Sequence, residues 1–147
     1  STFVRNPRPV LGPLRHLIRA LPVKLAPLAI LNAALLGRFS TPELRSALAT
    51  AMSQVSAEAL RARLRAVLSI DVSAKLKAVE VPILYLLATH DQIVPASALK
   101  DIQHNCPKTQ VVPIRAPHFL LQAAPWEAAA VVGNFMRSLQ IGANPEL

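Results

Sequence analysis

An uninterrupted apolar run at residues 81–88, Val-Pro-Ile-Leu-Tyr-Leu-Leu-Ala, is the feature that most restricts the fold of this chain. Its length is that of a strand, and a strand that is apolar on both faces is typical of a parallel sheet covered on both sides. Residues 109–115 predict a second strand, which Pro113 restricts to a sheet edge because proline cannot donate a ladder hydrogen bond. Helices are predicted over 96–105 and 126–139, so the order strand–helix–strand–helix indicates parallel strands.

Residues 1–72 predict short helices and no strand. Apolar spacing predicts helices over 11–20 and 23–36, and the second of these ends at Gly37. Two further helices begin after the capping residues Thr41 and Ser56. Ser73 is predicted to cap a short helix that reaches Val79. We therefore expect a helical lid or cap over residues 1–72, followed by a βαβα unit over residues 73–147.

The excess of positive charge lies in the first half of the chain. The net charge of the 147 residues is +8, and all of this excess lies in residues 1–70, which carry ten basic and two acidic side chains. Such a field favours an anionic partner, such as an acidic carrier protein or a phospholipid surface. A solvated face of basic helices explains it equally well. Nucleic acid is disfavoured, because the basic positions lack interleaved aromatic residues.

The sequence carries no transmembrane signal. Its most apolar stretch, residues 25–36, contains Pro27 and is shorter than the about 20 residues that a spanning helix needs. No signal-peptide pattern is present, so we predict a cytoplasmic location. The single cysteine, Cys106, excludes an internal disulfide and a cysteine-rich metal site. We expect neither a cofactor nor a metal.

Two titratable residues directly follow the predicted strands. Asp91 lies in the loop 88–95, and His118 lies in the loop 115–122. Because the carboxyl ends of parallel strands meet at one sheet edge, we expect these side chains to converge. His90 is a competitor for the acid role, although a turn residue is the favoured interpretation. His16 and His104 lie in predicted helices and are interpreted as ordinary helix residues without a metal.

Four segments carry a resemblance to a known family. In order and spacing, Val81-Pro82-Ile83-Leu84-Tyr85-Leu86, Asp91-Gln92-Ile93-Val94-Pro95, Pro117-His118-Phe119 and Ala124-Pro125-Trp126-Glu127 resemble the C-terminal part of the α/β-hydrolases. The resemblance is specific over residues 76–139 and looser over residues 5–72. Within the family it is similar to small esterases such as the pimeloyl-carrier-protein methyl ester esterase.

This resemblance implies an α/β fold, with a helical lid followed by two parallel strands and flanking helices. It also implies a serine hydrolase that acts on carboxylic esters or related small acyl substrates. His118 would be the general base, and Asp91 would orient its imidazole. An acidic carrier protein bound through the lid arginines is an expected partner.

Two departures from the family pattern matter. Pro117 replaces the glycine that usually precedes the histidine, and no Gly-x-Ser-x-Gly nucleophile motif is present. We therefore expect the nucleophile half to be missing and the isolated chain to be inactive. The strand at 81–88 should then pair along its free edge with that missing half or with a second copy. The alternative is a non-catalytic interaction module, whose basic half binds an acidic carrier protein or a membrane surface.

Overall fold

The computed structural model describes residues 2–18, 22–23 and 27–143. Short 3₁₀ helices lie at Pro9–His16 and Gly37–Phe39. The remaining elements, in chain order, are α1 (Leu28–Leu35), α2 (Pro42–Gln54), α3 (Ala57–Ser69), α4 (Ser73–Lys77), β1 (Leu84–Ala88), α5 (Ser97–Asn105), β2 (Gln110–Ile114), α6 (Leu120–Ala123) and α7 (Pro125–Ala143).

Strands β1 and β2 form a parallel pair. Leu84 lies opposite Gln110, and Ala88 lies opposite Ile114, so the two strands end side by side. The predicted fold class is therefore confirmed: a helical region is followed by two parallel strands with flanking helices. Among the described residues, the second edge of β1 carries no strand.

Apolar side chains cover both faces of this sheet, as the unbroken apolar run predicts. On one face, Ala88 and Ile114 pack with Leu120 of α6 and Ala128 of α7. On the other face, Tyr85 packs in a cluster that includes Val4 and Ile102 of α5. Alternate residues of β1 thus contribute to two clusters, which leaves no face of the strand for polar residues.

Two helices begin at the capping residues that the sequence predicts. The Thr41 hydroxyl accepts a hydrogen bond from the Leu44 amide at 3.2 Å, and the Ser56 hydroxyl accepts one from the Ala59 amide at 3.1 Å. After α1 the chain turns at Gly37, whose φ is +52°. A glycine there adopts the left-handed conformation without a Cβ clash.

Two helix predictions in the first half are wrong in type or extent. The segment predicted as a helix over 11–20 is a 3₁₀ helix at Pro9–His16, and Pro13 within it donates no backbone hydrogen bond. Residues 19–21 of that prediction lie outside the described residues. The helix predicted over 23–36 begins only at Leu28, after Pro27, and residues 24–26 likewise lie outside the described residues.

Three smaller differences occur in the second half. Strand β1 begins at Leu84 and not at residue 81, and Val81 is 69% exposed ahead of the ladder. Ser73 does not cap α4; it is the first helical residue, and its amide donates to Asp71 Oδ1 at 3.0 Å. The short helix α6 is not predicted by the apolar pattern, because four residues are too few to show a helical period.

Candidate active site

Backbone hydrogen bonds continue beyond the paired strands and join the two loops that follow them. The Thr89 amide donates to the Ile114 carbonyl at 3.0 Å, and the His90 amide donates to the Ala116 carbonyl at 3.0 Å. The loop after β1 therefore lies directly against the loop after β2. These two hydrogen bonds, together with the register of the strands, bring Asp91 close to His118.

Asp91 is held in a tight turn by its own carboxylate. Its Oδ1 accepts hydrogen bonds from the amides of Ile93 at 2.8 Å and Val94 at 2.9 Å, and its side chain is only 3% exposed. Burial acts to raise the pKa of Asp91, but hydrogen bonds from Val94, His118 and Ile93 together outweigh burial and lower it. The carboxylate is therefore ionised at neutral pH.

His118 is paired with this carboxylate. Its Nδ1 lies 3.0 Å from Asp91 Oδ2 and 3.1 Å from Oδ1. Because an ionised carboxylate can only accept, Nδ1 of the neutral ring carries the proton and Nε2 is bare. The ring is 24% exposed, and within the described residues Nε2 makes no hydrogen bond.

A cavity of 230 Å³ adjoins the ring. Besides His118 itself, it is lined by Leu86, Leu120, Leu121 and Gln122. A hydroxyl placed there, within about 2.6–3.2 Å of Nε2, could transfer its proton to the imidazole. No hydroxyl in the described part of the chain is hydrogen-bonded to His118. The described part of the chain thus provides an oriented base but no nucleophile beside it.

The last residue of α1 and the turn that follows it, together residues 35–39, contact both loops. The Phe119 amide donates to the Leu35 carbonyl at 3.3 Å, which ties the turn to the residue after His118. On the other loop, the rings of Phe39 and His90 meet edge to face with centroids 5.3 Å apart. The Arg38 guanidinium also contacts His90 Nε2. These contacts join the helical region to the loops that hold Asp91 and His118.

The sequence did not predict the contact between Arg38 and His90, nor that His90 joins the loop after β1 to the turn after α1. His90 makes no hydrogen bond to His118; its Nδ1 lies 2.9 Å from the Thr89 hydroxyl, and its Nε2 faces Arg38. Residues 38 and 90 are 52 positions apart, so no local pattern links them.

His16 and His104 are exposed. The described ranges contain no cluster of residues that could hold a metal ion, and no helix in them is long and apolar enough to cross a membrane.

The fold of this chain is similar to part of the fold of solved hydrolases and esterases of the α/β-hydrolase type. A hydrolase from Pseudomonas aeruginosa PA01 is 19% identical with a TM-score of 0.59 (88% of this chain, 48% of that one). The hydrolase olei00960 from Oleispira antarctica is 16% identical with a TM-score of 0.64 (88% and 47%). The esterase RhEst1 from Rhodococcus sp. ECU1013 is 24% identical with a TM-score of 0.59 (93% and 50%).

The chain therefore spans about half the length of the solved structures that it matches. No protein-family model and no curated protein matches it. At these identities the likeness extends to the fold, and the chemistry must be argued from the residues.

Proposed function

We propose that this chain is part of a serine hydrolase that cleaves carboxylic esters or related acyl substrates. One observation carries the proposal: a buried, ionised carboxylate holds an imidazole by Nδ1 at the carboxyl ends of two adjacent parallel strands. In that arrangement Nε2 takes the proton of an attacking hydroxyl and then returns it to the leaving group. Asp91 fixes the tautomer and stabilises the imidazolium.

The nucleophile comes from outside these 147 residues. No Gly-x-Ser-x-Gly motif is present, and a serine in this fold precedes the acid and the base along the chain. The cavity beside His118, lined by Leu86, Leu120 and Leu121, is the place where its hydroxyl must lie. The free edge of β1 is where the strands preceding it would pair, and residues 1–72 act as the lid.

Ester hydrolysis by the longer polypeptide provides the test. The protein encoded by the reading frame that contains this chain is assayed with p-nitrophenyl butyrate, beside variants His118→Ala and Asp91→Asn. We expect Asp91→Asn to lower kcat about 10⁴-fold, because the tautomer of the ring is wrong, and His118→Ala to lower it about 10⁶-fold, because the base is lost. His104→Ala, at an exposed histidine of α5, is the matched control and retains activity.

The 147-residue chain assayed alone is expected to give no turnover. Turnover by the isolated chain that His118→Ala abolishes would refute the assignment of the nucleophile to another segment. Full activity of His118→Ala in the longer polypeptide would refute the role of His118 as the base, and a lack of ester hydrolysis by the unsubstituted longer polypeptide would refute the hydrolase assignment itself. The specificity of a pimeloyl-carrier-protein methyl ester esterase, like a cytoplasmic location, remains a prediction.

A second candidate function rests on the charge distribution. The excess of +8 lies entirely in residues 1–70, and Arg38, Arg45 and Arg63 are exposed. A non-catalytic module that binds an acidic carrier protein would use this surface. Pull-down of acyl carrier protein that weakens between low and high salt, with no hydrolysis by the longer polypeptide, would favour this candidate over the enzyme.

A further inference from the structure

A small cavity lies where the turn after α1 meets the loop that carries Asp91. Its volume is 160 Å³, and we call it the Arg38 cavity; it is lined by Leu36, Gly37, Arg38, Phe39, His90 and Gln92. His90 and Gln92 flank Asp91 in sequence, so this cavity adjoins the candidate active site. It is separate from the cavity beside His118, with which it shares no lining residue.

The described contacts of the Arg38 guanidinium do not use all of its hydrogen-bond donors. It stacks over the Phe39 ring at 5.4 Å from the centroid and contacts His90 Nε2. Only some of its five N–H groups can be used by one ring nitrogen. Neither the ion pair of Arg5 with Asp101 nor that of His118 with Asp91 involves Arg38, and no carboxylate in the described residues forms an ion pair with its guanidinium.

Other arginines make the surroundings of the cavity electropositive. The Arg8 guanidinium donates to the Gln92 carbonyl at 3.2 Å. Partial burial, followed by the charges of Arg38 and Arg115, lowers the pKa of His90. Asp91 lies between His90 and Gln92 in the chain, but its carboxylate is occupied by two amides and by His118. A guanidinium with free donors in a positive field is a site for an anion.

We infer that the Arg38 cavity binds a carboxylate group, and that this carboxylate belongs to the acyl substrate. The second part of this inference rests on the proposed function. The planar guanidinium fork matches a carboxylate in a bidentate geometry, while the partly exposed Phe39 provides an apolar wall for the adjoining methylene groups. The substrate class is therefore the half-ester of a dicarboxylic acid, with its free carboxylate at Arg38 and its ester bond near His118.

The position of the cavity fits such a substrate. His90 precedes Asp91 by one residue, so their α-carbons are about 3.8 Å apart. The turn that carries Arg38 is also bonded to Phe119, the residue after His118. A substrate anchored at Arg38 would thus be held by the same turn that fixes both loops.

Ligand titration of the isotope-labelled 147-residue chain tests this inference without requiring turnover. Sodium monomethyl succinate is added while the NMR signals of the His90 ring and of the Arg38 Nε–H are followed. We expect saturable shifts of both signals, and none with the neutral dimethyl succinate. Arg38→Gln should weaken binding about tenfold, because a charge-assisted bidentate pair is lost. Arg38→Lys should weaken it a few-fold, since charge is kept without the fork.

The matched control is Arg63→Gln, at an exposed arginine of α3, which should bind the half-ester as the wild type does. Equal affinity of the wild type and Arg38→Gln, equal binding of the dimethyl ester, or absence of any shift would overturn the inference. Tighter binding of methyl phosphate than of the half-ester would reassign the cavity to phosphate and overturn it as well.

Hydrolysis data separate this inference from the proposed function. If the longer polypeptide fails to hydrolyse esters but the half-ester binds at Arg38, only the proposed function falls. If it hydrolyses neutral and half-ester substrates equally, and Arg38→Gln changes neither, only the carboxylate assignment falls.

Discussion

Removal of the Asp91 carboxylate should destabilise the fold by an amount that the structure lets us estimate. In Asp91→Ala, the amides of Ile93 and Val94 lose their acceptor, as does the Nδ1–H of His118. An unsatisfied buried donor costs about 1–3 kcal/mol. The His118 ring is partly exposed and can turn to water, and the burial penalty of a charge is relieved. We therefore expect a net loss of about 3 kcal/mol.

Asp91→Asn should cost much less, about 1 kcal/mol, since its Oδ1 still accepts from both amides. Urea unfolding at neutral pH, followed by far-UV circular dichroism, measures both free energies of unfolding. Glu80→Ala, at an exposed position between α4 and β1, is the control and should stay within about 0.5 kcal/mol of the wild type. Equal stability of the Ala and Asn variants would refute the role given to the two amides.

Three further predictions concern stability. The pKa of Asp91 is lowered in the folded state. Its contribution to the free energy of unfolding is therefore present above about pH 4 and is lost as the pH falls through the folded-state pKa. The Tm of the wild type should fall more steeply in acid than that of Asp91→Asn. Thr41→Ala should lose about 1 kcal/mol with the cap of α2, whereas Ser46→Ala in the same helix should stay within about 0.5 kcal/mol in urea unfolding. Ile114→Ala, at a fully buried position, should cost about 2–5 kcal/mol; a loss no larger than that of Val10→Ala, at an 83% exposed residue, would contradict the described core.

Features that depend on neighbouring residues could be predicted from the sequence. The two strands, the caps at Thr41 and Ser56, and the turn at Gly37 follow from patterns a few residues long. The approach of Asp91 to His118 could be expected as well, because parallel pairing brings the carboxyl ends of strands together. The prediction required only that both residues directly follow neighbouring parallel strands.

Features that depend on tertiary contacts could not be predicted. The first residues of the run 81–88 are as apolar as the rest, yet the strand begins only where β2 supplies partners, at Leu84. The 3₁₀ helix of residues 9–16 packs against α3, a contact that no local pattern shows. The contact of Arg38 with His90 joins residues 52 positions apart, and neither residue belongs to a recognisable motif.

The protonation state of the His118 ring tests the pairing with Asp91 most directly. A long-range ¹H–¹⁵N spectrum distinguishes the two ring nitrogens at a pH where the imidazole is neutral. With the carboxylate of Asp91 against it, Nδ1 should carry the proton and Nε2 should be bare, and Asp91→Ala should abolish this preference. A proton on Nε2 in the wild type, with no change in the Asp91→Ala variant, would contradict the acid–base pair on which the proposed chemistry depends.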